Sequence, residues 1–383
     1  MFVARVEADR VRSLAGVKFE PDPGLTVIIG PNGAGKTNLV ESIFFGLTSR
    51  SFRTSDRRDL IPFGSSYARC RVTVSGTGVD HTFMASASRS EGNRFTMDGA
   101  RIEQAEAVVH RPKVTVFSPD RLELVKGPPA GRRAHIDSFV AARWPGQAGV
   151  RASFGRILAQ RNALIARISA GQADTSQLST WNSQFAEAGS ALAVSREKAV
   201  GELGERWESS AGELGLEGPK SLSYRPGAAT TAEEIRTGLD EKLENDLRLG
   251  RSSWGPHHDE IRLELDGRQL RRFGSQGQQR LGLLALLFAE RSALLEAGGQ
   301  APLMLLDDVM SELDAHRRDR LVERLLEGGQ AIITAAEGEL IPDREGICRV
   351  AITDLLAAAE GGQPEDSDPG SKEIGSADPG AAA

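Results

Sequence analysis

The chain has 383 residues, of which 39% are hydrophobic and 26% charged, an ordinary globular composition with length for two or three domains that each bury a core. Two cysteines, Cys70 and Cys348, exclude a disulfide framework and a four-cysteine zinc site. The charged start "MFVARVEADR" predicts no secretory signal, and the longest nearly apolar stretch, Leu281 to Ala289, is about half a bilayer span, so a soluble, cytoplasmic chain with no membrane partner is expected.

The formal net charge is −6, yet residues 360–383 hold six acids and one lysine, so the remainder carries only −1. That tail is rich in Gly, Pro and Ser and is expected to be disordered. Overall charge therefore neither favours nor excludes a polyanionic partner, and local clusters must decide.

In chain order, "LTVIIG" (25–30) reads as a buried strand ending in a glycine loop, followed by a packed helix over 36–46. Residues 68–100 alternate with period two between turn residues, predicting antiparallel strands. From 149 to 213 apolar residues recur at helical spacing on both sides of "GQADTS", predicting a helical hairpin. Thr230 and Thr231 precede Glu233 and Glu234 as capping boxes for one helix striped by Ile235, Leu239, Leu243 and Leu247. "EIRLELDGRQL" (260–270) reads as a hairpin turning at Asp266–Gly267. A helix over 278–298, a strand over 302–306, a helix from about 314 and a strand over 331–334 complete the series.

Gly30-Pro31-Asn32-Gly33-Ala34-Gly35-Lys36-Thr37, followed by Asn38, matches the P-loop pattern between a predicted strand and helix. Its glycines let backbone N–H groups converge on phosphate oxygens at the positive end of the helix. Lys36 is placed to reach β- and γ-phosphates, and the Thr37 hydroxyl to ligate Mg²⁺. In "LMLLDDVMSELD" (303–314) a buried strand delivers Asp307 to the same Mg²⁺, while Asp308 is the candidate to orient or deprotonate the attacking water. The structural alternative for the paired aspartates is a helix N-cap.

Ser275-Gln276-Gly277-Gln278-Gln279, just upstream, resembles the signature loop of ATP-binding-cassette (ABC) ATPases. The resemblance implies that Ser275, Gly277 and Gln278 contact the γ-phosphate of ATP held by the opposite subunit; the alternative is a solvated helix start. Between Thr37 and Ser275 lie 237 residues, more than a transporter ATPase subunit needs and far fewer than a coiled-coil SMC head requires.

With that spacing the chain resembles the RecF family, the bacterial recombination and gap-repair ATPases. "PDRLELVKGPPAGRRAHID" (119–137), "GPHHDEIRLELDG" (255–267), "SQGQQR" and "LLDDVMSELDAHRRDRL" carry the resemblance over residues 1–350. Departures are "VRSL" (11–14), where Arg12 alone matches the N-terminal motif, His258 for arginine, His135 for an aromatic and Pro128 for a small residue. Thr334 and Ala335 stand where a switch histidine would be.

The resemblance implies an α/β fold: an ABC-type P-loop ATPase head, with a mixed sheet and an antiparallel β-subdomain, plus an inserted compact helical lobe without a long coiled coil. Residues 1–118 and 252–358 would form the discontinuous head, 119–251 the mostly helical lobe and 359–383 the disordered acidic tail. It places Asp314 in the D-loop and Arg12 at the nucleotide. It implies ATP and Mg²⁺ as cofactors, an ATP-dependent homodimer, weak DNA-stimulated hydrolysis, DNA at gaps or junctions, and RecR and RecO as partners. The basic clusters offered for phosphate contact are Arg50, Arg53, Arg57 and Arg58, then Arg111, Lys113, Arg121, Lys126, Arg132 and Arg133. A transporter ATPase subunit and a small-molecule P-loop kinase are the competing readings; the kinase needs no signature loop and no dimer.

Overall fold

The computed structural model describes residues 1–361 apart from 77, 108, 109 and 312. The first part holds β1 (Phe2–Asp9), β2 (Val17–Phe19), β3 (Leu25–Ile29), α1 (Lys36–Thr48), β4 (Tyr67–Ser75), β5 (His81–Ser88), β6 (Arg94–Met97), β7 (Ala100–Arg101), α2 (Gln104–Ala107) and β8 (Val114–Phe117). Then come α3 (Glu123–Lys126), α4 (Pro129–Arg143), α5 (Val150–Ser169), α6 (Leu178–Glu213), β9 (Lys220–Arg225), α7 (Ala232–Glu241) and α8 (Leu243–Leu249). The last part is β10 (Glu260–Leu265), β11 (Arg268–Gln269), α9 (Leu270–Phe273), α10 (Gln276–Glu296), β12 (Leu303–Leu306), α11 (Ala315–Leu326), β13 (Ala331–Ala335), β14 (Ile347–Ala351) and α12 (Ile352–Gly361).

Two sheets sandwich α1. The first has the order β14-β3-β13-β12-β8 and is parallel throughout. Both its faces are covered, so its inner strands are apolar apart from Thr26 and Thr334, and β12 is apolar and buried throughout, Leu303–Leu306. Leu25, Val27, Met304, Leu306 and Ile333 face α4, α6, α10 and α11; Ile28, Leu303, Leu305 and Ile332 face α1. The second sheet, β2-β1-β4-β5-β6-β7, is antiparallel, and β4 alternates buried and partly exposed positions because only one face meets the core. This is the mixed α/β head expected from the motifs.

α10 is buried along almost its whole length, Leu281 to Ala289 included, because the parallel sheet covers one side and α6 the other. Its apolar run is a core helix; among the described residues no helix is long and apolar enough to cross a membrane. The Trp207 indole on α6 donates to the Gly282 carbonyl of α10 at 2.9 Å.

The lobe is built on α6, whose 36 residues make it the longest helix described. Its N-terminal half packs with α5 and α7 around Phe154, Phe185, Leu192, Ile235 and Leu239; its C-terminal half enters the head core through Val200, Leu203 and Trp207. Arg161 of α5, fully buried, bonds Asp246 of α8 at 2.9 Å and Asn182 of α6 at 2.9 Å.

Three features correct or add to the expectations. The helix striped by Ile235 to Leu247 is two helices meeting at Lys242, because Ile235 and Leu239 join one apolar cluster while Leu243 and Leu247 join another. The stretch 119–251 also contributes β9, which pairs with β10 beside the predicted hairpin. Finally, α12 runs to Gly361, past the expected start of the tail at 359, and residues 362–383 lie outside the described residues.

Candidate nucleotide-binding site

Strand order assembles this site. β3 ends in the P-loop and β12 in Asp307, and β13 lies between them, ending in Thr334 and Ala335. All three strands are parallel, so their C-terminal ends open on one crevice, where such sheets bind ligands. Asn32, Gly33, Gly35, Lys36, Thr37, Asn38, Arg53, Asp307, Asp308 and Thr334 line it.

The loop geometry needs its glycines. Gly35 caps α1 at φ 99°, and it provides no side-chain hydrogen bond to the helix. The first-turn N–H groups therefore have no intrahelical or side-chain acceptor and point into the crevice, a ready anion cradle. A Cβ on Gly30 would stand 2.4 Å from Ile352 Cγ2, so α12 closes the loop from behind.

Lys36 Nζ donates to the Gly30 and Pro31 carbonyls at 2.6 and 3.0 Å. Burial pushes its pKa down, opposed by Asp308 and Asp307. Thr37 Oγ1 lies 3.0 and 2.9 Å from the two carboxylate oxygens of Asp307. Burial raises the Asp307 pKa against bonds from Thr334 and Thr37. Desolvation thus penalises the charge on both groups, and phosphates beside Lys36 with a cation beside Asp307 would relieve it. One hydroxyl and one carboxylate form the small hard-oxygen set that suits Mg²⁺, which takes its other ligands from phosphates and water. Among the described residues no cluster of three or more His, Cys, Asp or Glu could hold a metal by itself.

Thr334 and Glu41 went unrecognised in the sequence. The Thr334 hydroxyl donates to Asp307 Oδ1 at 2.8 Å and accepts from the Asp308 N–H at 2.8 Å. It thereby fixes both aspartates, and Asp308 sits in the left-handed region at φ 49°. Glu41, wholly buried on α1, accepts from Arg12 Nε at 3.0 Å and Arg53 Nη1 at 3.1 Å. The legible signal was a lone glutamate amid the apolar residues of that helix.

The remaining predicted residues fall into distinct places. Ser275, Gly277 and Gln278 are outside the crevice of their own chain, at the start of α10. Ser275 and Gln278 form a reciprocal capping box, with bonds of 2.8 and 3.2 Å. Asp314 is exposed and caps α11 by accepting from the Arg317 N–H at 2.9 Å. Arg12 does not line the crevice; it supports it through Glu41.

Two residues offered to DNA must be reassigned. Arg53 lines the nucleotide crevice, bonded to Asn38 and Glu41. Arg132 is 4% exposed and committed to Glu260 and to the Leu124, Val125 and Gly127 carbonyls, so it is a structural arginine. Lys113 and Arg133 are half-buried and donate to the Ala142 and Asp259 carbonyls; Arg121 donates to Val116 O. Arg50 and Lys126 are exposed.

Comparison with known proteins follows the same lines. The family model described as the RecF/RecN/SMC N terminal domain matches residues 2–355. The DNA replication and repair protein RecF of Acidothermus cellulolyticus is 34% identical over 88% of this chain and 95% of its own. That of Streptomyces avermitilis is 33% identical over 89% and 95%. Among solved structures, the recombination mediator protein RecF-ATP in the RecFOR pathway superposes with a TM-score of 0.80 at 25% identity, covering 92% of this chain and 96% of that one. An SMC head bound to the C-winged helix domain of ScpA shares the fold, with a TM-score of 0.58 at 16% identity. A P-loop, an aspartate pair and a remote signature loop on an ABC-type head, joined by full-length likeness to these relatives, make this chain a member of the RecF family.

Proposed function

We propose that the chain is an ATP-dependent DNA-binding protein of recombinational gap repair that works as a nucleotide-closed homodimer. The observation that carries this reading is the incomplete crevice. Lys36, Thr37, Asp307 and Asp308 converge on one side, while the exposed Ser275 and Gly277 lie outside it. Closure by a second copy would bring the signature helix N-terminus over the γ-phosphate and create two equivalent sites about a twofold axis.

In such a site Lys36 leaves the loop carbonyls for the β- and γ-phosphates, and the first-turn amides of α1 hold the β-phosphate. Thr37 and Asp307 would hold Mg²⁺, whose charge neutralises the phosphate oxygens. Asp308 accepts a proton as water oxygen bonds to the γ-phosphorus and the bridging P–O bond to the β-phosphate breaks. Its short side chain fits slow turnover. Loss of the γ-phosphate removes the contact to Ser275 and lets the dimer open, so ATP stabilises the closed state by its differential affinity for it.

The RecF names of the relatives and the RecFOR pathway of the solved structure support DNA as the substrate and RecR and RecO as partners in loading recombinase. Exposed arginines and lysines supply the phosphate contacts. The test is sedimentation with and without ATP and duplex DNA. Wild type is expected to become a dimer only with ATP, and Lys36→Ala to stay monomeric. A strictly monomeric wild type at saturating ATP, with turnover independent of protein concentration, overturns the reading.

A further inference from the structure

Beyond the C-terminal end of α1 lies a face with no part in the nucleotide site. Arg57 Nη1 reaches Ser49 Oγ at 3.3 Å, which sets it beside Arg50. Arg50 in turn lies near enough to Arg111 for their like charges to repel. Among the described residues none of these three arginines has a carboxylate within salt-bridge distance, whereas neighbouring Arg58 is committed to Asp56 at 2.7 Å. Arg111 is half-buried, its Nε has no hydrogen-bond partner among the described residues, and burial together with Arg50 lowers its pKa to about 10. Three guanidiniums without a carboxylate partner, bonded among the described residues only to Ser49 and to the Pro112 carbonyl, offer positive charge to an anion.

A second, independent feature follows Arg57 by six residues in the chain. Phe63 is fully exposed at the tip of a Pro62–Ser65 turn, with Gly64 at φ 83° and Ser65 N–H bonded to Pro62 O at 3.1 Å. The mount is fixed on both sides. Leu60 and Ile61, just after Arg57, are buried, and Arg89 donates to the Ser65 and Ser66 carbonyls at 3.3 and 3.1 Å. A rigidly presented ring finds no phosphate to bind, but its face suits a nucleobase that is not already stacked and paired.

We propose that Arg50, Arg57, Arg111 and Phe63 form a site for a DNA strand with an unpaired base beside a duplex, the guanidiniums taking backbone phosphates and Phe63 stacking on the base. The inference rests on the DNA-binding reading above and assigns the face and the base contact.

Anisotropy of the full chain with ATP, on an intact duplex and on a duplex with a single-stranded tail, tests it. Phe63→Ala is expected to weaken tailed DNA about tenfold and to leave the intact duplex within about twofold. Arg50→Ala and Arg57→Ala are each expected to weaken both and to reduce the salt slope by about one. Phe63→Trp emission should be quenched by tailed DNA only. If wild type binds DNA but Phe63→Ala changes nothing and Phe63→Trp is not quenched, the face is wrongly assigned while the DNA reading stands. The same holds if Phe63→Ala instead abolishes binding to anionic vesicles, which would make the face a membrane contact. If wild type binds neither DNA, both readings fall.

Discussion

A threonine between two aspartates is the least obvious part of the nucleotide crevice. Thr334 gives its only proton to Asp307 and takes the Asp308 N–H, so one hydroxyl holds the metal-side carboxylate and the strained backbone of the water-side one. Thr334→Val keeps the β-branched shape on β13 but removes both bonds. A hydrogen bond to a charged group is worth about 1.5–3 kcal/mol, so hydrolysis should fall roughly ten- to hundredfold. Nucleotide affinity, set by the P-loop, should change far less; equal losses in binding and turnover would contradict the positioning role. The P-loop was legible because its chemistry lies in eight consecutive residues. Thr334 was not, because its place beside Asp307 depends on β13 lying between β3 and β12, an order that no local pattern encodes. Arg53 was misread for a similar reason: a loop returns it to Glu41, twelve positions earlier in the chain.

At the scale of elements, the start of α10 separates folding from function. Ser275 and Gln278 have a folding reason to be present, the capping box. Gly277 has none: its φ is not positive, and a Cβ there would meet nothing closer than Ser275 Oγ at 3.9 Å. Alanine is the better helix former by up to about 1 kcal/mol, so Gly277→Ala should raise the urea midpoint of the monomer. It should also weaken ATP-driven dimerisation if a second copy packs its backbone there, and a variant that is both stabilised and fully dimer-competent would remove that role. Helices with strong stripes were read to within a few residues, α10 among them. β9 was missed because "KSLSYR" buries only Leu222, and the break at Lys242 because a continuous stripe does not reveal that its halves face different clusters.

For the whole molecule, acid is the informative perturbation. His257 sits against Phe154 and Phe185 with Nε2 3.2 Å from Ser252 O and, among the described residues, no partner for Nδ1. Burial pushes its pKa from 6.5 down to about 4. As pH falls the unfolded chain takes up this proton first. The stability that neutral His257 contributes is therefore intact above about 6.5 and lost towards 4, by roughly 2–3 kcal/mol at pH 4.5. His257→Gln should be less acid-sensitive in urea unfolding between pH 7.5 and 4.5; parallel curves would exclude this residue as the cause. Charge clusters were the least legible feature at this scale, since Arg132 and Arg50 look alike in the sequence and differ only in what the fold packs around them.

The length of α6 has a consequence for how such a chain can vary. Adding one residue to an α-helix turns everything after it by about 100°. Within α6 that turn would swing Trp207 away from the Gly282 carbonyl and Leu203 out of the head core. A longer or shorter lobe must therefore arise at its crown, in the 170–177 connection where α5 hands over to α6, the way a mast is extended from its top and never by a splice at the deck.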